Sequence, residues 1–369
     1  MDGGFFVALN KIFLKSHSDR KEKIMKKTLA LILTIAILAI SCIGLVSCND
    51  TTHDVNININ VGGTTTTTNN GGSNPPANDA KFVVGICQLV QHPALDQATQ
   101  GFIDTLKAEF GDDIAFDVQN ASNDTNLCNT IVNSFVSKKV DLIMANATPA
   151  LQAAYNATET IPILGTSVTE YGVALDIPNF GGTVGDNVSG TSDLAPLKKQ
   201  AEMILEVCPD TKSVAIIYCT GEANSKYQVE KMTKYLTEMN VEVKPFGFSD
   251  SNDISAIVMT AASQCDVIYI PTDNTAASCA ETIGNIAREK KIAIFAGEEN
   301  VAKACGVASL SISYYDLGVQ TAQMAIKILK GEANISDMAI EYAPATRKFN
   351  KEFCDLLGIT PPAGYVEIK

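Results

Sequence analysis

Two Rossmann-like α/β lobes with parallel sheets, joined by a hinge and facing a common ligand cleft, are what this sequence predicts. Three observations point there. From Lys81 onward, short apolar runs rich in Val and Ile alternate with helix-length amphipathic segments. The alternation runs twice along the chain. Between the two runs lies a glycine-rich, poorly periodic stretch from about Asn179 to Ser192. Near-continuous apolar strands interleaved with helices indicate parallel sheet covered on both faces. Strand twist then makes the crossovers right-handed. In open sheets of this kind ligands bind outside the carboxyl ends of the strands, so each lobe would offer those ends to the cleft.

Residues 1–47 read as a signal region. Met25-Lys26-Lys27 is basic, Thr28 to about Val46 is apolar, and small residues surround a cysteine, which together form a secretory signal. Met25 is the expected initiator, with residues 1–24 an over-extended start. The run Leu45-Val46-Ser47-Cys48 resembles the lipobox of bacterial lipoproteins. That resemblance implies a diacylglyceryl group on Cys48, which becomes the mature N-terminus. Each buried methylene contributes roughly 0.8 kcal/mol, so two or three acyl chains anchor a protein without a spanning helix. An uncleaved transmembrane anchor is the competing reading, because the apolar stretch is near the minimum spanning length. The small residues closing the segment at the cysteine favour cleavage. Cys42, preceded by Ala39-Ile40-Ser41, lacks a leucine at the matching place.

Residues 48–79 follow as a Thr/Asn/Gly/Pro-rich tether, with Thr64 to Thr68 unbroken. Such a segment has too little apolar surface to offset chain entropy. The remainder divides into an N-terminal lobe over 80–192 and a C-terminal lobe over 193–369, with late segments of the second crossing back to the first.

Charge and cysteines exclude several classes. Residues 1–47 hold seven Lys/Arg and three Asp/Glu, so the formal charge of −13 becomes −17 without them. Phosphate backbones repel such a surface, which makes nucleic acid a poor partner. The nine cysteines from Cys48 onward show no Cys-x-x-Cys and no regular spacing, against both a zinc site and a disulfide framework. Cys87 and Cys219 sit within apolar runs and suit the core.

Taken in order, the first half offers strands Lys81–Cys87, Ile114–Val118, Val140–Ala145 and Ile161–Leu164, with helices Leu95–Phe110 and Thr125–Val136 between them. The second half offers strands Ser213–Cys219, Val241–Phe246, Val267–Ile270 and Ile292–Phe295. Its helices are Leu194–Val207, Ala223–Met239, Ile254–Ser263 and Thr275–Lys290.

Five segments carry a resemblance. They are Gly85-Ile86-Cys87-Gln88 with His92-Pro93-Ala94-Leu95-Asp96; Ala147-Thr148-Pro149-Ala150; Asn187-Val188-Ser189-Gly190-Thr191-Ser192-Asp193; Ile270-Pro271-Thr272-Asp273-Asn274; and Tyr314-Tyr315-Asp316-Leu317-Gly318. In this order they resemble the substrate-binding lipoproteins of ABC importers of the tryptophan/tyrosine type, which are similar to type 1 periplasmic binding proteins. The resemblance covers essentially the whole mature fold. It implies a monomer, tied to the membrane by its lipid, that captures an aromatic or other hydrophobic amino acid and delivers it to an ABC permease. Cys87 departs from the family pattern, which has an apolar residue there, and should point into the core.

Candidate contacts lie at strand ends. Gln88 ends the first strand, and its amide either meets a ligand or satisfies loop backbone. His92, before Pro93, shapes the turn ahead of the first helix, with ligand contact the competing role. Thr148, Ser167 and Thr169 follow the third and fourth strands, where hydroxyls and helix-start N–H groups suit a carboxylate. Ser192 and Asp193 are expected as caps of a helix from Leu194. Glu222 and Asn224 stand where a strand hands over to a helix.

Thr272, Asp273 and Asn274 follow a buried strand. An ammonium entering a cleft needs a paired carboxylate, and Asp273 is the expected partner, with a capping role open beside it. On that reading Asp273→Asn weakens ligand binding and leaves stability nearly unchanged. Glu298 is a second carboxylate candidate. There is no tryptophan, so ring contact falls to Tyr171, Phe180, Tyr314 or Tyr315, with Tyr314 preferred.

No Gly-x-Ser-x-Gly, Walker loop or dinucleotide fingerprint stands in a strand-to-helix setting, so no catalytic residue, cofactor or metal is expected. The alternative to import is a sensory ligand-binding module that signals to a membrane receptor.

Overall fold

The structure, a computed structural model, describes residues 80–369; the signal region, Cys48 and the tether lie outside the described residues. The first lobe is built on strands β1 (Phe82–Gln88), β2 (Ile114–Asn120), β3 (Leu142–Asn146), β4 (Ile163–Val168) and β5 (Val188–Ser192). They pair in parallel in the order β2-β1-β3-β4-β5. The second lobe carries β6 (Ser213–Cys219), β7 (Glu242–Phe248), β8 (Val267–Ile270), β9 (Ala293–Ala296) and β10 (Ala308–Ser311), parallel in the order β7-β6-β8-β9-β10. Late in the chain, β11 (Glu341–Tyr342) joins the first sheet beside β5. Then β12 (Thr346–Phe349) joins the second antiparallel to β10, with β13 (Val366–Glu367) outside it.

In the first lobe the helices are α1 (Pro93–Phe110), α2 (Thr125–Lys138), α3 (Thr148–Ala157) and α4 (Tyr171–Ala174). The second has α5 (Leu197–Val207), α6 (Ala223–Glu238), α7 (Ile254–Gln264), α8 (Asn274–Ser278), α9 (Ala280–Lys290) and α10 (Glu299–Cys305). Finally come α11 (Tyr314–Leu329) and α12 (Lys351–Leu357). Their starts follow local chemistry. Asp124 caps α2 by accepting from the N–H groups of Asn126 and Leu127, and Pro93 stands in the first turn of α1, where its missing N–H costs nothing.

The chain crosses between the sheets three times: from β5 to α5, from β10 to α11, and from β11 to β12. The second crossing completes the first lobe from far down the sequence. Helix α11 lies against α1 and the ends of β4 and β5. Backbones touch there: a Cβ on Gly101 would meet the Tyr315 carbonyl oxygen at 2.2 Å, and one on Gly318 the Ala98 oxygen at 2.0 Å. Only glycine allows that approach. A ring of buried hydroxyls seals the joint, with Thr191 Oγ1 2.8 Å from Thr321 Oγ1 and Thr166 Oγ1 3.1 Å from it.

Three expectations change. The poorly periodic stretch from Asn179 to Ser192 ends in a buried strand, β5, whose Gly190 has φ +147°. A Cβ on Gly190 would meet the Gly165 oxygen at 2.1 Å, so the glycines that weaken the pattern are what let β4 and β5 approach. The segment Thr275–Lys290 is two helices, separated at Cys279. The helix expected from Leu194 begins at Leu197, after Pro196, which excludes a capping role for Asp193. Cys87 is fully buried, as its apolar setting requires.

Candidate functional site

Strand ends from both lobes meet around a narrow, polar cleft. From the first lobe come His92 and Leu95 ahead of and within α1, and Ser167 and Thr169 at the end of β4. Asp193 and Tyr314 stand where the chain crosses between lobes. From the second lobe come Asn224 on α6, Thr272 to Asn274 after β8, Ala277 on α8 and Glu298 after β9.

Of the eleven sequence candidates eight line this wall: Ser167, Thr169, Asn224, Thr272, Asp273, Asn274, Glu298 and Tyr314. Three stand behind it. Gln88 donates to Asp96 Oδ1 at 2.7 Å and to the Val90 carbonyl, and accepts from Thr99 at 2.6 Å, so its amide holds the loop beneath. Thr148 is buried in the first turn of α3. Glu222 lies under the α8 loop, with both oxygens engaged by protein donors. Of the four aromatic candidates Tyr314 alone lines the cavity; Tyr171 packs in the first-lobe core and bonds the Thr191 carbonyl at 3.0 Å.

Ser167 owes its placement to backbone geometry. The pairing of β4 with β5 slips between Gly165 and Val168, and Ser167 takes φ +54°. A bulge of this kind re-aims one side chain.

Among the described residues, eight buried side-chain polar atoms have no hydrogen-bond partner. Five belong to this wall: His92 Nδ1, Ser167 Oγ, Asp193 Oδ1, Asn224 Oδ1 and Thr272 Oγ1. Buried polar atoms are almost always paired, so such a concentration marks a place built to bond something else.

The carboxylates differ. Asp273 Oδ1 accepts from Ala276 N at 2.8 Å, capping α8, and its Oδ2 accepts from Cys219 N at 2.6 Å. Burial and the neighbouring Glu222 charge push its carboxyl up to about 8. Glu298 caps α10 through Val301 N and Asn300 N, and burial raises it to about 7. Asp193 accepts from Tyr314 Oη at 2.9 Å on Oδ2 alone. Burial lifts it to about 6, against the hydrogen bond from Tyr314. No Lys or Arg lines the cavity. Sequence reasoning misses Asp193 because Ser192-Asp193 ahead of an apolar run looks like a cap. The one signal against that is Pro196, which delays the helix.

Among the described residues the lobes touch across the cleft at three polar contacts, one of them from Gln97 Nε2 to Asn300 Oδ1 at 3.5 Å. His92 Nε2 lies 3.5 Å from Asn274 Oδ1, and Asn123 Nδ2 donates to Thr275 Oγ1 at 3.2 Å.

The family model for ABC transporter substrate binding proteins matches residues 83–362. The chain belongs to this family. A tyrosine-binding protein of Clostridioides difficile (strain R20291) is 40% identical over 256 residues, covering 68% of this chain and 73% of that one. A domain from Streptococcus pneumonia solved in complex with L-Trp is 31% identical, with TM-score 0.74 over 78% of this chain and 99% of its own. The ligand-free, open structure of a substrate-binding protein with adhesive properties from Clostridium difficile is 36% identical over the same 78% of this chain and 99% of its own, yet its TM-score is 0.62. The more similar sequence superposes less well. A leucine-binding protein from Thermotoga maritima MSB8, 15% identical with TM-score 0.54, shares the fold alone. The fold is that of type 1 periplasmic binding proteins.

Proposed function

We propose that this protein captures a zwitterionic aromatic amino acid, with L-tyrosine the first candidate, and hands it to an ABC permease. The concentration of unpartnered buried polar atoms on one acidic wall carries the reading. Asp193 Oδ1 takes the ammonium, since a desolvated cation needs a charged acceptor and Asp193 is the wall carboxylate with a free oxygen. Ser167 and Thr272 hydroxyls donate to the ligand carboxylate. Leu95, Ala277 and the Tyr314 ring offer the apolar contact an aromatic side chain requires. The tyrosine-binding and L-Trp-bound relatives support the ligand class. The polar hydroxyls of this wall would equally suit a sugar, but the acidic, base-free lining favours a cationic group.

Binding stabilises the folded state by RT ln(1 + [L]/Kd), so L-tyrosine, L-tryptophan and L-phenylalanine should raise the melting temperature. Calorimetry then gives the affinity. A set of zwitterionic amino acids that leaves the melting curve in place, while a sugar or nucleoside moves it, would overturn the reading.

The protein works as a monomeric binder, not an enzyme, outside the cytoplasm and tied to the membrane through Cys48. The lipobox-like Leu45-Val46-Ser47-Cys48 run supports that anchor. Cys48→Ala should leave the membrane fraction or remain an unprocessed precursor; a shorter, acylated membrane form of that variant would move the anchor to Cys42.

A further inference from the structure

We infer that Glu222 is a positioning residue for cleft closure: it fixes the polarity of two side chains that reach across to the first lobe, Asn274 and Thr275, and through Asn274 the tautomer of His92. The inference rests on the cleft being where ligand is held.

Glu222 is 6% exposed and its carboxylate accepts five hydrogen bonds. Oε2 takes Asn274 N at 3.0 Å, Asn274 Nδ2 at 2.7 Å and Asn224 Nδ2 at 3.0 Å. Oε1 takes Thr275 N at 2.9 Å and Thr275 Oγ1 at 2.8 Å. A carboxylate is acceptor-only, so every group facing it must be a donor. Two consequences follow for the residues at the lobe boundary.

Thr275 commits its single hydroxyl proton to Glu222, so its oxygen faces Asn123 Nδ2 as an acceptor, at 3.2 Å. Asn274 commits its amide nitrogen to Glu222, which turns Oδ1 toward His92 Nε2, 3.5 Å away. An acceptor there requires the proton of His92 to sit on Nε2. The other ring nitrogen, the buried and unpartnered Nδ1, is then a lone pair on the cavity wall. Burial lowers the His92 pKa, which keeps the ring in this neutral, one-proton form. Glu222 thereby sets two acceptors at the lobe boundary and one at the cavity, without itself lining the cavity.

The test uses the full chain, ring-nitrogen NMR of His92, and calorimetry with L-tyrosine. Wild type should show His92 as the Nε2–H tautomer. Glu222→Gln introduces an amide donor opposite the Asn274 and Thr275 donors, so it should give mixed tautomers and at least about tenfold weaker L-tyrosine binding. Asn274→Ala, which leaves Glu222 in place, should also release the tautomer. The affinity losses of the two variants should combine to less than their sum, as expected for groups acting through one contact.

An Nδ1–H tautomer in wild type, or an unchanged tautomer in Asn274→Ala, overturns the inference, as do fully additive losses. Should Glu222→Gln not fold, the wild-type and Asn274→Ala spectra decide by themselves. Should wild type fail to bind L-tyrosine, the proposed ligand is wrong, while the His92 spectrum still tests Glu222.

Discussion

The two walls of the cleft hold buried carboxylates in opposite circumstances. On the second-lobe wall, Asp273 and Glu298 each stand directly before a short helix and accept backbone N–H groups there. At the crossing between lobes, Pro196 delays the next helix to Leu197, and one oxygen of Asp193 has no protein donor. Helix starts supply orphan N–H groups that saturate any nearby carboxylate. A crossover supplies none. The carboxylate available to a ligand is therefore the one outside a helix start, even though strand-end loops are where a cleft site is first sought.

The sharpest way to break this contrast is to replace the two carboxyl groups in turn. Asp193→Asn should weaken L-tyrosine binding by about 2–5 kcal/mol, roughly thirty-fold or more, as truncating one partner of a desolvated pair does. Its stability without ligand should hold, because a buried carboxylate with a free oxygen is no asset to the fold. Calorimetry and thermal melts on the same variant check both halves. Equal affinities for variant and wild type would return the ammonium to the second-lobe wall.

Asp273→Asn should behave in reverse. Its amide can keep one N–H acceptor but turns a donor toward the other, Cys219 N or Ala276 N. A lost bond with a buried group left unpaired costs about 1–3 kcal/mol of stability. Urea unfolding should show that loss, with a smaller change in L-tyrosine affinity than Asp193→Asn gives. This departs from the sequence-level expectation, which sees the cap and misses the bond to Cys219 on the neighbouring strand.

The smallest effect is in pH. Asp193 must be charged to hold an ammonium, and burial sets it at about 6. L-Tyrosine affinity should fall as pH drops through that value, by roughly tenfold at one unit below. Calorimetry from pH 5 to 8 should show that fall in wild type and not in Asp193→Asn.

Stability without ligand runs the other way. A carboxyl raised on folding stabilises the native state fully below its unfolded value, near 4, and loses that contribution as pH rises through the folded value. Asp193, Glu298 at about 7 and Asp273 at about 8 add in the same direction, so melting temperature should decline from pH 5 to 8. A melting temperature that rises over this range would contradict the buried, raised state of these groups.

Periodicity made the parallel core legible: Ser213–Cys219 and Val267–Ile270 are strands with the bounds their apolar runs suggest. It fails at β5, where Gly190 is required by a backbone contact and leaves no hydrophobic signal. The site was legible as far as loop position decides it, in Ser167, Thr169 and Thr272 to Asn274. What position cannot tell is whether an oxygen is already taken. Asp193, Asp273 and Glu222 are alike in sequence logic and differ only in donors brought from other strands and helices.

The docking of α11 on α1 bears on the order in which the molecule can fold. The apolar layer around Phe102, Leu106 and Met144 is closed by Ala322, Met324 and Ala325, residues made after β6 to β10 of the second sheet. Gly101 and Gly318 bring the two helices into backbone contact at that face. A chain emerging from the ribosome can thus pair β1 to β4 but cannot close the first lobe until residues near 325 have appeared. Long-range closure of this kind slows folding. For a protein that works outside the cytoplasm, that delay leaves the leading lobe open until most of the chain is available.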